Sequence, residues 1–508
     1  MKPLSGLPLG LVTLALSLAT FMIVLDYSIA NVSIPYISGD LAISVDQGTY
    51  VITSFAVGNS IALPVTGMLT KKIGAVRLIQ LSLILFVIFS LVCGLSTNIE
   101  MLVIARFLQG LFSGPLIPLS QTLLVTSYPP EKKNMALSLW SAIVVVAPIL
   151  GPVIGGWISY DYHWPWIFYI NLPFGILSIV LIWIYLTPRE TETEKVKVDW
   201  VGLLLLAIGV SCLQFLLDKG EQYDWMNSHL MRGMAISSFM AFVLLFIWCK
   251  TDDNPLIELN LFRIRSFALS VFYMALIYAI YFGSVVLVPL WLQTDMNYTA
   301  IWAGIAVAPI GIAPFIFSIF TSKLVTRYGT LPMLAICFVL FAISCFYTAY
   351  FDTDVDIYHV GFSRFLLGLG LIFFITPLFS LSLQDMPNHK LASATGIFHF
   401  VRALFGGIGT SIFTTIWVRR AAFHHAMVGE NVTAYSPMTQ EYLSKLNQVG
   451  FEGKRALEQL NNVLNQQAAM LSLNDCFYLM GWIFLGLLLF LPIGRKRKEA
   501  NRSLPSGE

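Results

Sequence analysis

Residues 106–110 read RFLQG and residues 364–368 read RFLLG. Each copy sets an arginine inside an otherwise apolar run, where a guanidinium that cannot lose its proton must find partners. Slightly upstream of each stands a second matching pair, GMLTKKIG at 67–74 and SKLVTRYG at 322–329, at a nearly equal offset. One five-residue match is within reach of chance. Two in the same order, at similar places in their apolar runs, mark an internal repeat of long period. The chain therefore reads as two equivalent halves flanking something extra.

Composition says what surrounds those halves. Of 508 residues 57% are hydrophobic and only 11% charged, against roughly 25% charged in an ordinary soluble domain. Such a chain is a polytopic membrane protein whose medium is the lipid bilayer. The net charge of +2 leaves no basic face of the kind nucleic acid requires. Six cysteines lie scattered in or beside apolar segments without a CxxC pair or His partners at metal spacing, so no metal site is expected. The pair His424 and His425 is the one hint of a polar catalytic cluster, and no nucleophile accompanies it, so the chain does not read as an enzyme.

A spanning helix needs roughly 20 mainly apolar residues. Fourteen segments qualify, at 8–32, 49–70, 76–95, 100–124, 134–158, 166–186, 199–218, 231–250, 267–292, 300–322, 331–350, 359–384, 392–418 and 475–493. Six precede the seventh and eighth and six follow them. The expected fold class is an all-α polytopic membrane protein with 14 transmembrane helices arranged 6+2+6. Its parts are an N-terminal six-helix bundle at 1–190, a two-helix insertion at 191–262, and a C-terminal six-helix bundle at 263–508. Cationic loops tend to stay in the cytoplasm. Most of the 30 Lys and Arg, including Lys2, Lys71, Lys72, Arg77, Lys195, Lys390 and the RKRK tail at 495–498, fall on the side of the N-terminus, which places both termini there. The polar stretch 419–474 then faces outward as a periplasmic loop. Part of it has helical spacing, and it reads either as a partly helical surface loop or as a partner-docking element.

Asp26, in FMIVLDYSIANVSIPYI at 21–37, is the most costly residue of the first segment. Two readings fit it. It neutralises a buried arginine as structural glue, or it carries protons, because a carboxylate taken out of water holds a proton more readily than one in water. Arg106 is its natural counterpart. If the two approach in one state of a transport cycle and part in another, proton uptake is tied to conformation; permanent pairing of Arg106 with backbone carbonyls or Gln109 is the competing reading. A cavity for varied amphipathic compounds needs aromatic and apolar lining with a few polar handles. Tyr27, Asn31, Gln121, Trp140, Tyr281, Phe282, Phe379, His399 and Arg402 suit that role, and each also fits ordinary packing. His399 and Arg402 would suit anionic or weakly acidic substrates.

The string APILGPVIGGW at 147–157 puts Pro148, Gly151, Pro152, Gly155 and Gly156 inside one spanning segment, where small residues permit close helix approach. It resembles the antiporter motif of drug exporters of the major facilitator superfamily. LDYSIANVSIP resembles the first-helix signature of the fourteen-helix drug:proton antiporters, GMLTKKIGAVRL the loop between helices 2 and 3, and RFLQG the fourth-helix arginine motif. HWPWIFYINLP, DDNPL, YFGSVVLVPLWLQ and GTSIFTTIW resemble the EmrB-type inner-membrane subunits of tripartite efflux pumps. The resemblance implies a proton-driven exporter of hydrophobic, drug-like compounds that needs no cofactor beyond the proton gradient. It implies the inner membrane of a Gram-negative cell, a periplasmic membrane-fusion adaptor and an outer-membrane channel. A metabolite or siderophore exporter of the same mechanism is the alternative. In the gating loop Gly67 and Gly74 are expected in a tight turn, with Lys71, Lys72 and Arg77 as cytoplasmic anchors. The superfamily loop has an acid where this chain has Lys71, so its acid-centred salt bridge does not carry over. Arg364 inherits no role.

Overall fold

The structure, a computed structural model, describes residues 4–194, 196–252 and 255–494. Lys2, Lys195, the RKRK tail, and Asp253 and Asn254 of the DDNPL string lie outside the described residues. The chain is built of helices. The first half comprises α1 (Gly6–Asp40), α2 (Tyr50–Ile73), α3 (Ala75–Gly94), α4 (Ile99–Ser127), α5 (Lys133–Asp161) and α6 (Asn171–Leu186). Next come α7 (Trp200–Lys219) and α8 (His229–Thr251). The second half holds α9 (Arg265–Thr294), α10 (300–328, in three pieces), α11 (Thr330–Thr348), α12 (Ile357–Leu383), α13 (Leu391–Gly429) and α14 (Lys454–Leu487). Among the described residues, 12 helical segments are long and apolar enough to cross a membrane. Helix α5 and the broken α10 stand beside them.

The helices that carry the two arginines share a design. Both α4 and α12 break near their middle, at 114–115 and at 373–374. Pro118 and Pro377 explain the breaks, because neither has an N–H to give the carbonyl four residues earlier. The glycine that closes each RFLxG string is a point of close approach. A Cβ on Gly110 would stand 2.2 Å from the Phe55 carbonyl oxygen of α2, and one on Gly368 would stand 2.2 Å from that of Ile310 in α10. Repetition in the sequence thus becomes repetition in packing.

The halves meet along a seam where α2 and the second part of α4 lie on α13, and α5 lies on α10. Helices α7 and α8 are bound to each other by Ser238 Oγ, which donates to the Gly209 carbonyl at 2.9 Å. They do not stand apart from the bundles. Leu206 and Val210 of α7 share an apolar cluster with Val57 and Ile61 of α2 and Phe400 of α13. At its far end α7 touches both halves: Ser411 of α13 donates to the Leu217 carbonyl at 3.0 Å, and Thr53 of α2 donates to Asp218 Oδ2 at 2.5 Å.

The stretch 419–474 is not mainly loop. Helix α13 continues to Gly429, a short helix covers Pro437–Gln448, and α14 begins at Lys454. Apolar composition ends near residue 418, but a helix does not have to end where its surroundings change from lipid to water. Trp417 Nε1 donates to the Ala469 carbonyl at 3.1 Å, and Arg420 Nε and His424 Nε2 both donate to Asp475 Oδ2 at 2.7 Å. These bonds hold the two helices together beyond their apolar stretches. A polar cavity of about 720 Å³ opens there between the end of α9 and the α13–α14 pair, with Asp295, Gln459 and Gln466 among its walls.

Candidate functional site

Asp26 and Arg106 meet. The carboxylate in α1 is 1% exposed and the guanidinium in α4 is 0% exposed, with Arg106 Nη1 2.5 Å from Asp26 Oδ2. The neighbours expected from sequence join them. Arg106 Nη1 also donates to Gln109 Oε1 at 2.8 Å, Gln109 Nε2 returns a bond to Asp26 Oδ1 at 3.2 Å, and Arg106 Nε reaches the Val51 carbonyl at 3.2 Å. Phe55 and Phe168 cover the guanidinium plane, 4.2 and 5.4 Å away. Desolvated so fully, an unpaired charge would cost several kcal/mol, and the pair with its ring of hydrogen bonds offsets that cost.

Sequence reasoning missed Asn171. It opens α6, is fully buried, and donates from Nδ2 to Asp26 Oδ1 at 2.7 Å and to Ser90 Oγ at 3.0 Å. Ser90 in turn donates to the Phe168 carbonyl at 2.8 Å. The signal was an amide in the otherwise apolar IFYINLP of 167–173. Two buried atoms of this pocket, Arg106 Nη2 and Asn171 Oδ1, have no hydrogen-bond partner among the described residues.

Arg364 occupies the matching place in the second half, also buried. Its Nη1 donates to the Ser284 carbonyl at 3.1 Å, Nη2 to Thr348 Oγ1 at 2.9 Å and Nε to Ser363 Oγ at 3.1 Å, beneath the Phe477 ring. The Arg106–Asp26 and Arg364–Ser284 bonds each span 80 residues of sequence. A serine carbonyl therefore stands where the first half has a carboxylate.

The candidate cavity residues fall into three groups. Trp140 and Phe379 lie 5.2 Å apart, each against the His399 ring, and His399 Nε2 donates to Gln121 Oε1 at 2.9 Å. This buried contact joins α4 to α13 across the seam, and His399 Nδ1 and Gln121 Nε2 have no partner among the described residues. Tyr281 and Phe282 cluster with Tyr278, over whose ring Arg402 lies at 5.4 Å. Arg402 Nε is buried without a hydrogen-bond partner among the described residues. Tyr27 packs on Phe55 at 6.1 Å, and Asn31 is exposed one turn along α1.

The gating string differs from expectation in one respect. Gly74 does turn the chain, with φ +97, and Glu190 Oε1 and Oε2 accept the Val76 and Arg77 amide protons that follow. Gly67, by contrast, lies inside α2, where a Cβ would stand 2.2 Å from Ser393 Oγ of α13. It allows close approach of two helices and takes no part in the turn. Lys71 bonds Glu258 Oε1 at 2.5 Å, Lys72 is exposed, and Arg77 Nε is 4.0 Å from Glu190. In α5, Gly151 and Gly155 face Ser28 and Ile29 of α1, while Gly156 faces Ile301 of α10, so that helix is packed between the halves. Pro148 and Pro152 lie within α5, and their side chains fall outside the described residues.

The profile of the Major Facilitator Superfamily matches residues 16–410. The multidrug export protein EmrB of Haemophilus influenzae is 43% identical over 490 residues, 96% of each chain. That of Escherichia coli K12 is 42% identical over 488 residues, covering 96% of this chain and 95% of the other. This chain is an EmrB-type member of the major facilitator superfamily. Within that branch, the fatty acid resistance protein FarB of Neisseria gonorrhoeae is 41% identical over 490 residues, again 96% of each chain. The human organic anion transporter MFSD10 has a similar fold at 12% identity, with a TM-score of 0.59 over 94% of this chain and 98% of the other. The superfamily assignment, with export proteins among the relatives, marks the chain as a membrane transporter rather than an enzyme.

Proposed function

We propose that this EmrB-type protein exports hydrophobic and amphipathic compounds in exchange for protons by alternating access. The single observation that carries the reading is the buried Asp26–Arg106 pair, a proton-accepting group held by a permanent cation at the packing point of α1, α2 and α4. When Asp26 takes up a proton, its bond to Arg106 weakens and the helices on either side are freed to move. Loss of the proton restores the pair. In this reading the chain has fourteen spans arranged 6+2+6, with the Lys71 face in the cytoplasm and the α13–α14 hairpin in the periplasm of a cell with two membranes. The hairpin is the surface for a periplasmic adaptor that leads to an outer-membrane channel. The names of the relatives, multidrug export and fatty acid resistance, support toxic amphiphiles as cargo. Arg402, with a buried donor left over beside Tyr278, supports weak acids among them.

Proteoliposomes with an imposed pH gradient test the reading. Adding hydrophobic weak acids or lipophilic dyes, one at a time, is expected to release protons down the gradient as each compound moves against its own. Compound movement with no proton flux, or none with any compound, would overturn it.

A further inference from the structure

The seam on the Lys71 face is closed by more than apolar packing. Lys71, near the end of α2, puts its ammonium 2.5 Å from Glu258 Oε1. Glu258 Oε2 lies 3.7 Å from the Lys390 ammonium, and Ser393 Oγ donates to Glu258 Oε1 at 3.2 Å. Lys71 belongs to the first half, and Lys390 and Ser393 to the second. Glu258 belongs to neither helix pair that it joins, because it lies in the link that brings the chain from α8 to α9. One carboxylate from the exit of the two-helix insertion thus stands between two cations on opposite sides of the seam.

The surroundings suit a fastening rather than a chance surface pair. Lys71, Glu258 and Lys390 side chains are 27%, 19% and 31% exposed, so all three are partly desolvated and less screened than free surface charges. Burial would raise the Glu258 carboxyl, but the bond from Lys71 and the fields of Lys71 and Lys390 outweigh it and hold the group below the usual carboxylate range. A carboxyl so depressed stays ionised through neutral pH, and its contribution is lost only as pH falls through that lowered value. Beneath it, Ser393 crosses Gly67 at a distance that admits no side chain, and Thr122 and Thr395 meet at 3.1 Å. The opposite end of the insertion also straddles the seam, through Leu217 and Asp218.

We propose that Glu258 is a positioning residue that locks the Lys71 face shut, so that the inserted helix pair supplies the acid of the gate. In this gate the α2 end carries a cation, and the insertion carries the acid that holds both halves. Opening this face parts Lys71 from Lys390, and Glu258 keeps at most one of its two partners. The inference rests on the alternating-access reading above, but its test does not use transport.

The experiment places spin labels at the exposed positions Lys72→Cys and His389→Cys, on either side of the clasp in the full-length, reconstituted protein, and measures their separation with no gradient or substrate. The unaltered clasp is expected to give mainly the short separation. Glu258→Gln should shift the ratio of long to short by about fivefold, the scale of a partly exposed charge network. Lys390→Gln, which removes only the longer contact, should shift it less in the same direction. The triple reversal Lys71→Glu, Glu258→Lys, Lys390→Glu restores attraction at both contacts and should bring back the short separation. An unchanged distribution in Glu258→Gln overturns the proposal, as does a triple reversal as open as the single variant. Failure of compound export in vesicles, with these distances as expected, would count against the exporter reading alone.

Discussion

The two arginines that mark the repeat sit in matching helices yet have unlike company. Arg106 faces a carboxylate, Asp26, inside a ring of amides, and its Nη2 has no hydrogen-bond partner among the described residues. Among the described residues, Arg364 bonds only neutral groups, a carbonyl and two hydroxyls, and binds α9, α11 and α12 together through them. The first pocket holds a carboxylate. The second holds none at the matching place, where the Ser284 carbonyl accepts from the arginine. One repeat thus keeps the arginine as a fixed tie between helices, while the other adds an acid to it and leaves the site incompletely satisfied. In the proposed cycle, proton chemistry is concentrated in the first half and the second moves in response.

The largest test of that contrast is chemical. Asp26→Asn keeps the size and removes the titrating group, so drug-driven proton exchange in vesicles should fall about 100-fold or more, within the range a general acid or base supplies. Ser284→Ala leaves its carbonyl in place and should stay within about twofold of wild type. Equal losses in the two variants would erase the distinction between the halves. Next in size is stability. Arg106→Met leaves the Asp26 carboxylate buried and unpaired, at a cost of about 3–5 kcal/mol, whereas Arg364→Met leaves only neutral groups and should cost less than about 2 kcal/mol. Thermal melting in detergent, followed by tryptophan fluorescence, reads both. The smallest expected effect is that of Thr348→Val, which takes one acceptor from Arg364 at about 1.5 kcal/mol and should leave proton exchange untouched. A loss of exchange in that variant would make the second pocket part of the coupling machinery.

Much of this was legible in the chain before any coordinates, for identifiable reasons. The repeat declared the two halves, because RFLQG and RFLLG combine a charge too costly to place at random with a glycine that only close packing requires. Asp26 and Arg106 stood out for the same reason. Their contact was one of two readings left open, since it joins α1 to α4 and depends on how those helices cross. Asn171 was hidden by the aromatic residues around it, which drew the reading toward a family likeness instead of toward a single amide in an apolar run. Glu258 gave no local signal at all. A lone glutamate in a short link is ordinary, and its meaning comes only from Lys71 and Lys390, which the fold brings to it from either side. The helical nature of 419–474 was only partly readable, because apolar content reports the medium around a helix and not where the helix stops.

The long helices α13 and α14 have a mechanical meaning apart from any surface they offer. At about 1.5 Å per residue, 39 and 34 residues make rods of roughly 58 and 51 Å, against a hydrocarbon layer of about 30 Å. Beyond the brace of Arg420, His424 and Asp475, α13 runs on to Gly429, roughly 14 Å of helix paired with the first turns of α14. A braced pair of this kind is a lever whose fulcrum lies in the membrane. A rotation of the second half by ten degrees would swing its tip by roughly 2 Å relative to that brace, without any contact inside the hairpin having to change.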